Sequence, residues 1–337
     1  MDAKNIIVIG ASAGGLKAVG ELLANLQPGL PVAIFVVIHV SKRSSVENIC
    51  RYLQKRSSYT CMAAANGQKI EAGHLYVAPP DTHLFLKPGS VRLTAGPHEN
   101  RWRPSVDVLF RSAAAAYGSR VIGIVLTGTM HDGASGMSAI KRSGGICIAQ
   151  DPAEAEFMEM PVNVINNIGV DHRLPAAEIG GIIAGLLAKP EQPDVPIPDD
   201  VKIEADITER MTSDINEMEK IATHSNYTCP DCGGGLWKIN GDPAQRYRCH
   251  TGHVYTEPVL LDKQSEQIEE SVWVSIRMIE ERRNVLQNIA KRETDTGRPS
   301  SGENYRRRAA ELNEHIERLK QLLVAINKAE PDTDGYL

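Results

Sequence analysis

From Lys4 to Leu187, short apolar runs alternate with stretches of helical spacing. Ile6–Ile9 is an unbroken apolar run ending at Gly10, the pattern of a strand buried on both faces of a parallel sheet. Behind it Leu16, Val19, Leu22, Leu23 and Leu26 recur at helical spacing. Val32–Ile38 is a second such strand, followed by a helix around Val46–Leu53. Leu75–Val77 and His83–Leu86 read as shorter strands separated by Pro79, Pro80 and Asp81, and Val91–Leu93 closes that hairpin-like section. Val106–Tyr117 carries Val106, Leu109, Phe110 and Ala113 on one helical face. The strand Val121–Leu126, a Gly-rich loop, a helix from Ser135 to about Arg142, the strand Cys147–Ala149 and the helix Ile179–Leu187 follow. This alternation predicts an α/β fold: a doubly wound, mostly parallel sheet with an antiparallel insertion near residues 70–95.

The pattern then breaks. Lys189–Asp200 holds four prolines and four acids, which predicts an extended linker over 189–202. Residues 203–222 read as a short helix and residues 226–256 hold a Cys/His cluster. Leu260–Lys291 and Asn304–Lys328 show helical periodicity, separated by the breaker run Thr294–Gly302. The second repeats Tyr305, Ala309, Leu312, Ile316, Leu319, Leu323 and Ile326 in steps of four and three, as a packing seam does. We therefore expect four regions: a catalytic-type α/β domain over 1–188, the linker, a short helix with a zinc-ribbon-like unit over 203–258, and an α-helical hairpin over 259–330 for packing or self-association.

Composition narrows the function. An aromatic content of 5% and a net charge of -5 disfavour a nucleic-acid platform or an anionic membrane surface. No apolar run approaches the roughly 18 residues of a spanning helix, and Lys4 is followed by a short strand rather than a cleavable leader. Of the six cysteines only Cys229, Cys232 and Cys249 cluster, which is not a secreted disulfide framework. A cytoplasmic protein is expected.

In an open parallel sheet, functional groups collect past the C-terminal strand ends. Gly10-Ala-Ser-Ala-Gly-Gly15 has the Gly-x-Ser-x-Gly shape of a nucleophile elbow around Ser12, although its glycines would equally cradle a phosphate at the helix end. The second strand ends in His39, and Val121–Leu126 runs into a loop holding His131, Asp132 and Gly133. A serine, a histidine and an aspartate past three strand ends are the parts of an acyl-transfer triad: the imidazole takes the hydroxyl proton and the carboxylate orients the ring. His39 could instead end a strand bonded to backbone, Asp132 could be a turn former or helix cap, and His131 competes as base. A dinucleotide fingerprint fits poorly, because Ser12 replaces its second glycine and His39 stands where the ribose-binding acid would be.

These segments resemble the catalytic domain of CheB-type chemotaxis protein-glutamate methylesterases, over roughly residues 5–187. Leu75–Pro80, Arg103–Phe110, and Gly144–Pro152 leading to Met160 and Pro161 add to the likeness. The resemblance implies hydrolysis of γ-glutamyl methyl esters on methylated receptors or other signalling proteins, often with glutamine deamidation, and no catalytic cofactor. It implies Ser12 as nucleophile, His39 as base and Asp132 as orienting acid, with backbone amides near Ala13 and Thr129 as oxyanion donors. The family often has Thr after the nucleophile and Met-Gly before the acid region, where this chain has Ala13, Thr129 and Met130. The chain begins at the catalytic strand without the usual receiver domain, so regulation by aspartyl phosphorylation in cis is not expected. The alternatives are a non-catalytic signalling adaptor on the same fold, or an esterase or amidase with another protein or small-ester substrate.

In the tail, Cys229 and Cys232 form a Cys-x-x-Cys-Gly knuckle, and Cys249, His250 and His253 follow. Cys229, Cys232, Cys249 and His253 would complete a closed structural zinc site, His253 being preferred to His250 for its spacing from Cys249. Redox pairing of Cys229 with Cys232 is the rival, but no thioredoxin-like helix follows.

Overall fold

The structure, a computed structural model, describes residues 3–188, 195–211 and 214–329. Its first half runs β1 (Asn5–Ala11), α1 (Gly15–Ala24), β2 (Val32–Ile38), α2 (Val46–Gln54), β3 (Thr60–Ala63), β4 (His74–Val77), β5 (His83–Lys87), β6 (Ser90–Thr94), α3 (Val106–Tyr117), β7 (Val121–Val125), α4 (Ala134–Arg142), β8 (Ile146–Gln150), α5 (Glu159–Ile168), β9 (His172–Leu174) and α6 (Ala176–Leu187). Seven strands form one sheet in the order β3-β4-β2-β1-β7-β8-β9, every pair parallel. The unbroken apolar runs are explained by what covers them. Ile6 and Val8 of β1 pack with Val106, Phe110 and Ile140 of α3 and α4, while Ile7 and Ile9 pack with Val19, Leu22 and Ile183 of α1 and α6. Both faces are buried, so alternation disappears. The antiparallel pair β5–β6 stands outside this sheet, whereas β4 belongs to it. The chain leaves β1 toward β2 and returns to β7 on its other side, so the switch point of the sheet lies at β1.

Part of the Pro/acid stretch, residues 189–194, lies outside the described residues; α7 (Asp199–Arg210) begins within the remainder. After α8 (Ile215–Ile221), a four-stranded antiparallel sheet is built from β10 (Ala222–Thr228), β11 (Gly235–Ile239), β12 (Arg246–Cys249) and β13 (Val254–Thr256). Residues Met1–Leu260 form one compact unit. A buried ionic network joins the seven-stranded and four-stranded parts of this unit. Along β12, Tyr247 and Cys249 face the small core of this sheet, with Leu236 and Tyr255. Arg246 and Arg248 alternate with them. Arg246 is bidentate to Glu204 of α7 (2.9 and 3.0 Å), and Arg248 reaches Glu99 (3.3 Å). Arg111 of α3 meets Glu99 at 2.6 Å and Glu204 at 3.1 Å. All five groups are buried.

The second unit begins at Leu261 and holds most of α9 (Glu257–Asp295) and all of α10 (Pro299–Ala329). Ile276, Ile316 and Leu323 form its seam, with Val272, Ile279 and Leu319 beside them. The helices run further into the breaker run than the periodicity indicates. Gly297 takes φ +81 and the Arg298 amide donates to Glu293 O (2.9 Å), a Schellman stop, and Pro299 sits at the first position of α10. Among the described residues no helix is long and apolar enough to cross a membrane.

Burial alone would raise the Glu204 carboxyl, but the guanidinium groups of Arg111, Arg246 and Arg248 hold it well below the carboxylate range. Breaking such a buried pair strands the partner charges. Glu204→Gln should therefore lower the unfolding free energy by about 3 kcal/mol, read from urea unfolding; an unchanged midpoint would contradict the ionic account of this junction.

Candidate active site

Ser12 follows β1 directly. Its amide donates to Thr127 O (3.0 Å) and its carbonyl accepts from the Gly15 amide (2.9 Å), closing the turn into α1, with Gly14 at φ +72. The neighbouring loop presses on it: a Cβ on Gly128 would lie 2.7 Å from Ser12 Cβ and 2.2 Å from Met160 Sδ, so only glycine fits there. His39 follows β2, and its amide donates to Ala11 O (3.0 Å), carrying the β1–β2 ladder past the strand ends. Because β2 and β7 flank β1, the three strand ends that carry Ser12, His39 and the Asp132 loop are adjacent. A cavity of about 350 Å³ is lined by Ser12, Gly14, Lys17, His39, Val40 and Tyr52.

His39 Nε2 and Asp132 Oδ2 are 2.9 Å apart, and both side chains are fully buried. His39 Nδ1 is buried with no hydrogen-bond partner among the described residues. The indole of Trp102 stacks on the imidazole, with centroids 4.0 Å apart and planes at 7°. His131 Nδ1 faces Asn163 Nδ2 at 3.0 Å, and His131 is not among the residues that line the cavity.

Asp132 is over-determined. Besides His39 it accepts from Ser105 Oγ (2.8 Å), the Val106 amide (2.6 Å) and the Asp107 amide (3.0 Å), so it caps α3. Asp107 in turn accepts from the amides of Gly133 (3.0 Å) and Gly136 (2.6 Å) and caps α4. Each helix start is thus closed by a carboxylate borne at the start of the other. His83 supports the arrangement: the Ser105 amide donates to its Nδ1 (3.2 Å) and its Nε2 donates to Pro97 O (2.8 Å), a neutral tautomer in keeping with a pKa lowered by burial. Burial alone would raise Asp132, but the hydrogen bond and charge of His39 and the α3 amides hold its carboxyl below the usual range. Burial and the adjacent Asp132 charge push Asp107 well above it.

The profile of the CheB methylesterase family matches residues 7–183, more than half of the chain. The chain belongs to the CheB methylesterase family. A Leptospira interrogans protein described as a candidate protein-glutamate methylesterase/protein-glutamine glutaminase is 38% identical over 181 residues, covering 53% of this chain and 93% of that protein. A Burkholderia lata protein-glutamate methylesterase/protein-glutamine glutaminase is 36% identical over 198 residues, 56% of this chain and 52% of its own length. The crystal structure of the Thermotoga maritima CheB methylesterase catalytic domain superposes with a TM-score of 0.52 at 32% identity, covering 55% of this chain and 99% of that one. Residues 184 onward lie outside the family match.

Within the CheB-family domain, Ala13 and Thr129 sit in the two loops that meet at Ser12: Thr127 Oγ1 donates to Ala13 O (3.1 Å), and the Thr129 loop is pinned by the Met130 amide on Glu159 Oε2 (2.7 Å). Beyond the family match, the donor atoms of Cys229, Cys232, Cys249 and His253 lie within 4.8 Å of one another, and the group does not include His250. Cys232 and Cys249 Sγ are 3.7 Å apart, and His253 Nδ1 is 3.5 Å from Cys249 Sγ. Thiolates ~2.3 Å from a tetrahedral zinc would be about 3.8 Å apart, so donor set and spacing fit a metal ion. Sequence reasoning missed Trp102, Ser105, Asp107 and His83. Only Ser105 carried a signal, as a helix cap ahead of the Val106 run.

Since the folded Asp132 titrates below the ~3.9 of an unfolded aspartate, its contribution to stability is complete above about pH 4 and is lost as pH falls through its folded value. Asp132→Asn should be less stable than wild type by about 2 kcal/mol at pH 7, and the gap in urea midpoints should close toward pH 3. A gap of equal size at both pH values would refute the carboxylate's role as cap and ring holder.

Proposed function

We propose that Ser12 is the nucleophile, His39 the general base and Asp132 the orienting acid of a methylesterase acting on γ-glutamyl methyl esters of methylated receptors or related signalling proteins. The reading is carried by the two ends of the His39 ring. With Nε2 committed to Asp132 at 2.9 Å, the unpartnered Nδ1 is the nitrogen left to take a proton, and Ser12 lines the same cavity. As Ser12 Oγ attacks the ester carbonyl, its proton passes to Nδ1, and Asp132 stabilises the imidazolium. The backbone amides of Ala13 and Thr129 are the proposed donors to the tetrahedral oxyanion. His39 then protonates the departing methoxide, giving methanol. Water attacks the acyl-enzyme with His39 again as base, freeing a glutamate carboxylate and restoring Ser12.

The names of the Leptospira and Burkholderia relatives couple methylesterase with glutaminase; the same steps with ammonia leaving would deamidate a glutamine side chain. A signalling adaptor would have no use for a buried histidine held at one nitrogen and unpartnered at the other. The reaction uses protein groups and water alone, in a cytoplasmic setting. We assign a structural zinc to Cys229, Cys232, Cys249 and His253, a closed donor set that folds the small sheet around it. The helical hairpin carries exposed Ile268, Trp273, Met278 and Val285, which supports self-association through that unit.

Methanol release from methylated receptor should fall by about 10⁴–10⁶-fold in Ser12→Ala; equal release by variant and wild type overturns the enzymatic reading. Turnover of small esters without receptor demethylation would move the substrate elsewhere. Elemental analysis should find about one zinc per chain, as one four-ligand site requires, lost in Cys232→Ser; metal-free protein from native expression would rule the zinc assignment out.

A further inference from the structure

The loop between β6 and α3 carries Trp102, and its conformation is an uncomfortable one. Glu99 and Trp102 exchange both backbone hydrogen bonds (2.9 and 3.2 Å) across Asn100 at φ 49 and Arg101 at φ 71. Two successive left-handed residues, neither a glycine, form a two-residue hairpin turn that persists only where the surroundings over-determine it. Those surroundings include the small C-terminal sheet. The Asn100 amide donates to Val254 O (2.8 Å), the Val254 amide to His98 O (3.4 Å) and the Thr256 amide to Asn100 Oδ1 (2.9 Å), so the turn is laid along β13. Glu99, buried at the turn's first position, is held by Arg111 from one side and by Arg248 of β12 from the other. Trp102 has no tether of its own: its Nε1 is buried without a hydrogen-bond partner among the described residues. The place of the indole is therefore set by the backbone of the turn, and the turn by β12 and β13 together with α3, where Asp107 Oδ2 accepts from Asn100 Nδ2 (3.2 Å) and Arg111 holds Glu99.

These two strands are joined by the knuckle Cys249–His253. Arg248 immediately precedes Cys249, and Val254 immediately follows His253. The sheet packs Trp237 and Ile239 against Ile207, Met218 and Ile221 on one face. The face that carries Cys249 has a core of seven residues, two of them cysteines of the cluster, so closure of the cluster is a large part of what holds that face. We propose that the Cys/His unit is a brace for the active site: closure of its cluster holds β12 and β13, these hold the 98–103 turn, and the turn keeps Trp102 stacked on His39 as a positioning residue. The stack fixes the ring so that Nε2 stays on Asp132, and the indole face favours the imidazolium formed when Nδ1 takes a proton. The inference rests on His39 as the base proposed above.

Three tryptophans are present, so Trp237→Phe with Trp273→Phe leaves Trp102 as the sole indole reporter in the full-length protein. In that background Cys232→Ser should shift Trp102 emission to longer wavelength and lower kcat on p-nitrophenyl acetate. Trp102→Ala should lower kcat about tenfold, with KM little changed and the acid limb of the pH–kcat profile displaced; Trp102→Phe should restore most of both. Combined with Trp102→Ala, Cys232→Ser should cost little further, since both act through the same stack. The proposal is overturned if Cys232→Ser leaves Trp102 emission unmoved, if Trp102→Ala leaves kcat and its pH profile as in wild type, or if the two losses multiply. Should turnover prove insensitive to Ser12→Ala, the triad reading falls instead, and the emission shift still decides whether the brace exists.

Discussion

The Asp132 carboxylate is the interaction on which the rest of the esterase half depends. It sits at the start of α3, where helix amides point outward with no partner of their own. It takes two of these together with the Ser105 hydroxyl and His39 Nε2. One group thereby fixes the entry of the helix that covers one face of the sheet and the orientation of the His39 ring. Asp107 returns the favour by capping α4, which starts two residues after Asp132. The two caps tie the loop after β7 to the loop before α3, so the place of Asp132 is set by the starts of two helices.

Much of this was readable along the chain, and the limits are physical. β1, β2 and β7 announce themselves because both faces are covered and nothing polar interrupts them. β3 and β9 do not: they are the edges of the sheet, Thr60–Ala63 is short and nowhere fully buried, and His172–Leu174 has a single apolar residue. α5 was hidden by Pro161 and three asparagines, yet Pro161 sits in its first turn, where its missing N–H is harmless. Ser12, His39 and Asp132 each follow a recognisable strand, so the candidates were legible. Their adjacency was not, since it follows from strand order. Trp102, Ser105, Asp107 and His83 act through tertiary approach and leave at most a capping signature.

The tail shows the same division. Cysteine spacing identifies the cluster, whose four donor atoms the fold brings within 4.8 Å of one another. The alternation in Arg246, Tyr247, Arg248 and Cys249 also separates two faces, but a sequence reader takes the arginines for solvent-facing residues. Arg246 has one near partner in Asp242, but Glu99 and Glu204, which bind the two arginines to the rest of the unit, come from a loop and a helix far away in the chain. Buried ion pairs of this kind add little net stability compared with well-packed apolar side chains. What they add at this junction is register: a guanidinium misplaced by one residue would leave charges on both sides without partners.

The orientation of the His39 ring follows from the same strand order. In the common serine triad, Nδ1 is held by the carboxylate and Nε2 faces the hydroxyl; here Nε2 meets Asp132. His39 ends β2, Ser12 ends the adjacent β1, and the Asp132 loop follows β7, one strand further on. Neighbouring strands are ~4.8 Å apart, so the strand that leads into the Asp132 loop is roughly twice as far from β2 as the one that leads to Ser12. Nδ1 lies beside the ring's attachment point and Nε2 at its far edge. The distal nitrogen must therefore span to Asp132, and the proximal one is left for the nearer residue. A sheet ordered β2-β1-β7 sets the serine-bearing strand between those that lead to His39 and to the Asp132 loop, an order that agrees with the proposed proton path through Nδ1.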